Sequence, residues 1–162
     1  MTGAEMDAAI ASQTALPETK VKTTLDAFEA RLKQEAAAGK AVKLEGFGTM
    51  MPRSVQGTRT GRTISGGTTT YQNWKLVKTP EVVRDADLYD PSMGVTRDEY
   101  STILGQYKTN TKMVINRGGI YSSRGLGTFR MTRMKATKNL PARYKPTFSS
   151  GKTGMHQKLV VD

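Results

Sequence analysis

The chain has 162 residues, 25 Lys and Arg against 14 Asp and Glu, a formal net charge of +11, and no cysteine. That length suits one ordinary domain or two small ones. The lack of cysteine excludes disulfides and thiolate metal sites, and no apolar run reaches the roughly 18 residues that a spanning helix needs. Glu5 and Asp7 near the start, with no apolar stretch beside them, do not read as a secretory signal.

Residues 5–13 read as a short helix with Met6, Ala9 and Ile10 on one face, broken at Thr14–Leu16. Pro17 opens a second helix, where a missing N–H costs least. Val21, Leu25, Phe28 and Leu32 follow at helical spacing, and Gly39 ends it. Ala41–Glu45 alternates as a strand. Gly46-Phe47-Gly48 turns the chain into a second strand, Thr49–Val55. Residues 56–70 are too polar for a core and read as a protruding hairpin arm, with Gly66-Gly67 supplying the positive φ angles of its tip. Thr68–Tyr71 returns toward Trp74, an aromatic expected in the core. A helix is expected near Pro80–Tyr89, then a break at Asp90–Gly94. Thr96 is an N-cap with Glu99 completing a capping box, and the helix runs to about Asn116 with Tyr100, Leu104, Tyr107 and Val114 inward. Strands at 119–124 and 127–134 flank Gly125-Leu126-Gly127. A loop spans 135–146 with Pro141 and Pro146, and a last helix is expected over 152–161. The nine methionines read mostly as core filler.

The second half restates the first. Gly46-Phe47-Gly48-Thr49-Met50 returns as Gly125-Leu126-Gly127-Thr128-Phe129 at a spacing of 79 residues, which also pairs Val21 with Tyr100, Leu25 with Leu104, Phe28 with Tyr107 and Gly39 with Gly118. A period this long marks a duplicated small domain rather than a solenoid. Halves of about 80 residues are marginal alone, so the two are expected to share one core and to pack as a covalent pseudo-dimer. The expected boundaries are repeat one over 1–79, with a long β-arm at about 51–76, a shared helix and connector over 80–94, and a degenerate repeat two with a shortened arm over 95–162.

Charge is segregated. Gly46 to Pro80 holds no Asp or Glu but Arg53, Arg59, Arg62, Lys75 and Lys78, and Tyr100 to Val161 holds none against twelve Lys and Arg. Such layout is the footprint of a polyanion binder. Arg53, Arg59 and Arg62 are the leading phosphate or groove contacts, followed by Lys75, Lys78 and Lys152. Arg130, Arg133, Lys135, Lys138, Arg143 and Lys145 form a second cluster, with Arg133 and Lys135 expected on one strand face. Catalysis has no support. The one histidine, His156, stands far from any acid, and no metal-ligand spacing appears. Ser150-Gly151-Lys152-Thr153 mimics the end of a phosphate loop, but the required earlier glycine is Pro146.

The runs Ala9-Ile10-Ala11, Thr14-Ala15-Leu16, Leu25-Asp26-Ala27-Phe28, Leu44-Glu45-Gly46-Phe47-Gly48-Thr49 and Arg53, with Gly39, Val42, the Arg59…Gly61-Arg62 arm and the Trp74…Lys78 return, resemble the bacterial histone-like HU and integration host factor proteins. Coverage is about residues 4–85, and weaker over 95–160, where it rests on the glycine turn, the helix pattern and Phe148…Gly151-Lys152. The resemblance implies an α+β fold with a helical base and two β-ribbon arms that reach into the minor groove of duplex DNA and bend it. Where the family's arm tip carries Arg-Asn-Pro, this chain has Arg62-Thr63-Ile64, so Ile64 replaces the wedge proline; Pro141 after Leu140 matches the second wedge only loosely. The expected function is architectural binding of double-stranded DNA with little sequence preference, in the nucleoid or in a phage-infected bacterial cell, with no cofactor, small-molecule substrate or membrane partner. The lost proline leaves a reading of another class, an assembly protein of a bacteriophage virion whose arms contact protein in a neck or tail ring. An RNA-binding reading draws only on charge and lacks exposed-aromatic motifs.

Overall fold

A computed structural model of the chain describes residues 1–52, 54–76, 79–150 and 157–161, with side chains left out at 54–59 and 71–76. Trp74 as a core aromatic, Met155, His156 and the phosphate-loop mimic from Gly151 on therefore lie outside the described residues or side chains. The fold is mixed α+β. Helices α1 (Gly3–Thr14) and α2 (Glu18–Ala37) precede β1 (Ala41–Leu44) and β2 (Gly48–Pro52). A long hairpin follows, β3 (Ser54–Arg62) and β4 (Thr68–Leu76), then β5 (Val82–Arg84), α3 (Arg97–Asn116), β6 (Ile120–Ser122), β7 (Thr128–Met134), β8 (Arg143–Ser149) and β9 (Gln157–Val161).

Helix α3 starts on the expected box. Thr96 Oγ1 accepts from Glu99 N at 3.1 Å, and Glu99 Oε1 accepts from Thr96 N at 3.0 Å. Two of the free N–H groups at the helix start are thus satisfied. Thr96→Ala is expected to lower stability by about 1 kcal/mol, read as a shift in denaturant midpoint without a change in slope.

One core serves both halves, as their size requires. Met6, Ile10, Val21, Leu25, Phe28 and Leu32 from the first helices pack with Tyr100, Ile103, Leu104, Tyr107, Tyr121, Leu126 and Phe129. A file of rings crosses it: Phe28–Tyr107 at 5.9 Å, Tyr107–Tyr121 at 5.6 Å, Tyr121–Phe129 at 5.9 Å and Phe129–Phe148 at 4.8 Å, tilted or edge-to-face throughout. These are the geometries that the ring quadrupole favours. Between α1 and α3 the amides of Gln13 and Asn110 exchange two hydrogen bonds, at 2.8 and 3.1 Å. Methionine fills less of this core than expected: Met6, Met50 and Met93 are buried, whereas Met1, Met51, Met131 and Met134 are half-buried and Met113 is exposed.

A three-acid cluster joins the halves. Arg124, in the β6–β7 turn, places Nη1 2.7 Å from Asp7 of α1 and Nη2 2.7 Å from Asp26 of α2. Next to it, Gly125 N–H donates to Glu29 of α2 at 3.2 Å. Burial pushes the Glu29 carboxyl up to about 7, against the pull of that N–H and of Arg124.

The two glycine turns differ in detail. Gly46 takes φ 77° in the first, and Gly127, not Gly125, takes φ 153° in the second. Phe47 and Leu126 are buried at the matching place in each.

Two expected helices are not formed. Over 80–89 the chain makes β5 and a single 3-10 turn, Asp85–Leu88. Val82 and Val83 are β-branched, and the open edge of β1 takes them in a parallel ladder, Ala41↔Val82 and Val42↔Val83. Asp85 ends the strand by accepting from Glu45 N at 3.2 Å and pairing with Lys108 at 2.7 Å. No helix over 80–89 thus splices the halves. At the other end, 157–161 is a strand. Gln157 and Leu159 are buried while Lys158 and Val160 are exposed, a period of two. Strand β9 covers the outer edge of β2, with Met50↔Leu159 and Pro52↔Gln157. The sheets are β5-β1-β2-β9, β3-β4 and β6-β7-β8.

Candidate nucleic-acid interface

The expected arm is a hairpin of nine residues in each strand, in unbroken register from Ser54↔Leu76 to Arg62↔Thr68. At about 3.4 Å per residue this ribbon is roughly 30 Å long. Its tip is closed by Thr63 N–H to Gly67 O at 2.8 Å and Gly66 N–H to Thr63 O at 3.0 Å. Gly66 takes φ 87°, a conformation that glycine adopts without strain. Thr60 and every residue from Arg62 to Thr70 are exposed. Ile64 stands at the tip with its whole side chain in solvent.

Of the cations expected here, Arg62 is exposed beside the tip. Arg59 lies opposite Tyr71 and Lys75 opposite Val55 in the ladder. Arg53, Lys78 and Lys152 lie outside the described residues.

The second hairpin is shorter and denser in charge. Strands β7 and β8 have seven residues each, in register from Thr128↔Ser149 to Met134↔Arg143. The expected loop over 135–146 ends earlier, because Arg143–Pro146 already belongs to β8. Phe129 and Phe148 are buried and opposite each other, which fixes the inward face. Strand alternation then assigns the cations. Arg130, Arg143 and Lys145 share the outward face with Thr132 and Thr147, whereas Arg133 lies on the inward face, opposite the exposed Tyr144. Lys135 is not fixed on a face with Arg133, because β7 stops at Met134; Lys135 and Lys138 are both exposed in the loop that follows.

Sequence reasoning misses one cation of this region. Lys158 falls in the segment expected as a helix, but β9 turns it outward and brings it to a shallow cleft shared with Lys145, Thr147 and Met134. The alternation Gln157-Lys158-Leu159-Val160 carries that signal.

Of the twelve Lys and Arg over residues 1–52 and 79–127 six have an acidic partner, and Lys22, Lys33, Lys43, Arg97, Lys112 and Arg117 have none within 4.0 Å among the described residues. Lys20 pairs with Glu99, Arg31 with Glu35, Lys40 with Glu81, Arg84 with Asp87, Lys108 with Asp85, and Arg124 with Asp7 and Asp26. Among the described residues none of Arg62, Arg130, Arg133, Lys135, Lys138, Arg143, Lys145 or Lys158 has an acidic partner within 4.0 Å. Unneutralised cations on exposed ribbons raise the local concentration of any polyanion. The described residues contain no group of three acidic or histidine side chains able to hold a metal ion, and none of their helices is long and apolar enough to cross a membrane.

Residues 1–75 match the family model of the bacterial DNA-binding proteins, the family of HU and integration host factor. The match takes in α1, α2, β1 to β3 and all but the last residue of β4, and thus the long hairpin. No curated protein matches the chain.

Proposed function

We propose that this protein is an architectural DNA-binding protein of the HU type, a single-chain pseudo-dimer that holds duplex DNA between two unequal β-ribbons with little sequence preference. The observation that carries the reading is the contrast in counter-charge. Six of the twelve Lys and Arg over residues 1–52 and 79–127 pair with acids, while the described cations of both hairpins have no acidic partner among the described residues. Phosphates would supply the missing charge, and the release of their condensed counterions would drive binding independently of sequence. The family match over the long hairpin supports the same partner.

The pseudo-dimer is supported by two contacts between repeat mates. Lys20 pairs with Glu99 at 2.9 Å and Phe28 packs on Tyr107 at 5.9 Å. Both pairs are separated by the spacing of the repeated motif. A residue touches its own mate only beside a two-fold axis, so that axis would run between α2 and α3. Ile64, apolar and fully exposed, takes the place of the wedge that unstacks a base step. Such a protein belongs where bacterial or phage DNA is found, in the nucleoid or the infected cell.

The test is a titration of random-sequence duplex from about 50 to 200 mM salt. With six to ten phosphate contacts, affinity falls by about 10³–10⁵ over that range. Replacing Arg53, Arg59 and Arg62 together by Ala is expected to weaken binding at every salt concentration. If that triple variant binds like the parent, the long hairpin does not hold DNA. Closed rings formed without nucleic acid, seen by native mass measurement, would favour the virion-assembly reading instead.

A further inference from the structure

The geometry points to a proton-operated latch between the two halves: Glu29, held inward on the β6–β7 turn while neutral, swings on ionisation into the adjacent cleft, pairs with Lys33 and releases the turn. The latch works whether or not the protein holds DNA, and none of its residues belongs to β3–β4 or β7–β8.

The inward place suits a carboxylic acid better than a carboxylate. Glu29 is 5% exposed, and its Oε2 accepts from Gly125 N–H at 3.2 Å. Arg124, next to it in the turn, already gives Nη1 to Asp7 and Nη2 to Asp26. An ionised Glu29 would stand as a third carboxylate against a guanidinium whose outer nitrogens are both engaged. Asp7 of α1 and Asp26 of α2 repel it there, and Tyr107 of α3 and Tyr121 of β6, both kept protonated by burial, stand close to it. Burial above all, against the pull of Gly125 N–H and Arg124, raises the carboxyl to about 7, so both protonation states are populated near neutral pH.

The outward place is already built. A cleft of about 400 Å³ opens beside the carboxyl, lined by Lys22, Asp26, Lys33, Arg124 and Gly125. Lys33 stands four residues after Glu29 on the same helix α2, the order and spacing at which a Glu–Lys pair is favoured. Yet Lys33 has no acidic partner within 4.0 Å among the described residues. Rotation of the Glu29 side chain, with the helix backbone in place, would complete the pair. A neutral Glu29 gains no ion pair by going outward, whereas an ionised one gains a counter-charge and water. The proton therefore selects between the two places, as any ligand that binds one conformer better shifts the population to it. Ionisation leaves Gly125 N–H to the water of the cleft, and the turn is then tied to the first half through Arg124. The turn leads into β7, so the latch sets how firmly the root of the second hairpin is held to α2.

The test follows the Gly125 amide proton and the Glu29 carboxyl carbon of the full chain by NMR across about pH 5–9, either side of the Glu29 midpoint. As Glu29 ionises, the Gly125 proton is expected to move upfield, because its bond is lost. A carboxylate that stayed inward would hold it more tightly, since charge-assisted bonds are the stronger, and would move it downfield; that result would overturn the latch. Lys33→Gln removes the outward partner and is expected to raise the Glu29 midpoint by about 0.3 unit, the worth of such a helical pair. Lys22→Gln takes the same charge from the same cleft, but seven residues from Glu29, and is expected to shift the midpoint less. Equal shifts would mean a general field in place of a pair, and the latch would fall. Gly125→Ala acts from the opposite side. The added Cβ would stand 2.9 Å from Glu29 Oε2, the movable end of that side chain. It is expected to push the carboxyl outward and to lower the midpoint toward 4.5. A midpoint that rises or stays would overturn the latch, and so would a parent carboxyl that already titrates near 4.5, which lies outward at every pH. None of these results touches the salt titration that tests duplex binding.

Discussion

Replacing Arg124 by methionine is expected to destabilise the protein by about 3 kcal/mol, at the low end of the range for breaking a buried ion pair. Arg124 comes from the β6–β7 turn, and its two guanidinium contacts go to different helices of the first half. The Asp7 side chain is only 3% exposed, and its second oxygen has no hydrogen-bond partner among the described residues. Without Arg124, that carboxylate keeps its desolvation cost and loses its main compensation. Asp26 is 46% exposed and contributes little, since water solvates it in either case. Arg124 is itself 36% exposed, which is why the low end applies. Methionine retains the packing of the side-chain stem, so the change isolates charge. Adding Asp7→Asn to Arg124→Met is expected to recover much of the loss. Denaturant unfolding of the parent, both single variants and the double variant forms the cycle. Two single losses that simply add in the double variant would show that the pair is not coupled.

The elements most legible in the sequence are those specified by near neighbours. The capping box at Thr96 and Glu99 predicts α3, and apolar spacing predicts α2. The Gly66-Gly67 pair predicts the tip of the long hairpin, although only Gly66 takes a positive φ and Gly67 does not. The two segments that read as helix but fold as strand have distant partners. Val82–Arg84 is held by β1 and Gln157–Val161 by β2. The open edges that recruit them exist only after the sheet has formed, so local propensity does not decide the outcome. The Arg124 cluster is invisible in the sequence for the same reason. Asp7, Asp26 and Glu29 look like ordinary helix-surface acids until the β6–β7 turn is laid across them.

The candidate interface divides along the same line. Absence of acids marks both hairpins, and that is a property of composition. Which cations share a face is not readable, because it depends on where β7 stops. Lys135 falls one residue beyond Met134, and so leaves the alternation that would have placed it with Arg133. The two matching glycine motifs are a guide to shared packing more than to local conformation. Phe47 and Leu126 fill equivalent places in one core, yet the positive φ falls on the first glycine of one turn and the last glycine of the other.

Glu29 makes stability depend on pH in a direction opposite to that of most carboxylates. Its folded pKa is raised by burial from 4.5 to about 7. The folded state therefore holds a proton that the unfolded chain has released between those values. The resulting stabilisation is fully present below pH 4.5 and is lost as pH rises to about 7, beyond which it stays lost. At 1.36 kcal/mol per unit, the loss is on the order of 3 kcal/mol. Glutamine at this position is neutral at every pH and can still accept from Gly125 N–H. Glu29→Gln is thus expected to match the parent near pH 4.5 and to exceed it by on the order of 3 kcal/mol at pH 8. The difference between the two denaturation curves, followed from pH 4.5 to pH 8, isolates this group from all other titrations. The two effects also interact. Arg124 holds the Glu29 pKa down, so in the Arg124→Met background the transition should move to higher pH. A Glu29→Gln advantage that does not vary with pH would mean that the side chain is solvated in the folded protein, and that Arg124 is bound by Asp7 and Asp26 alone.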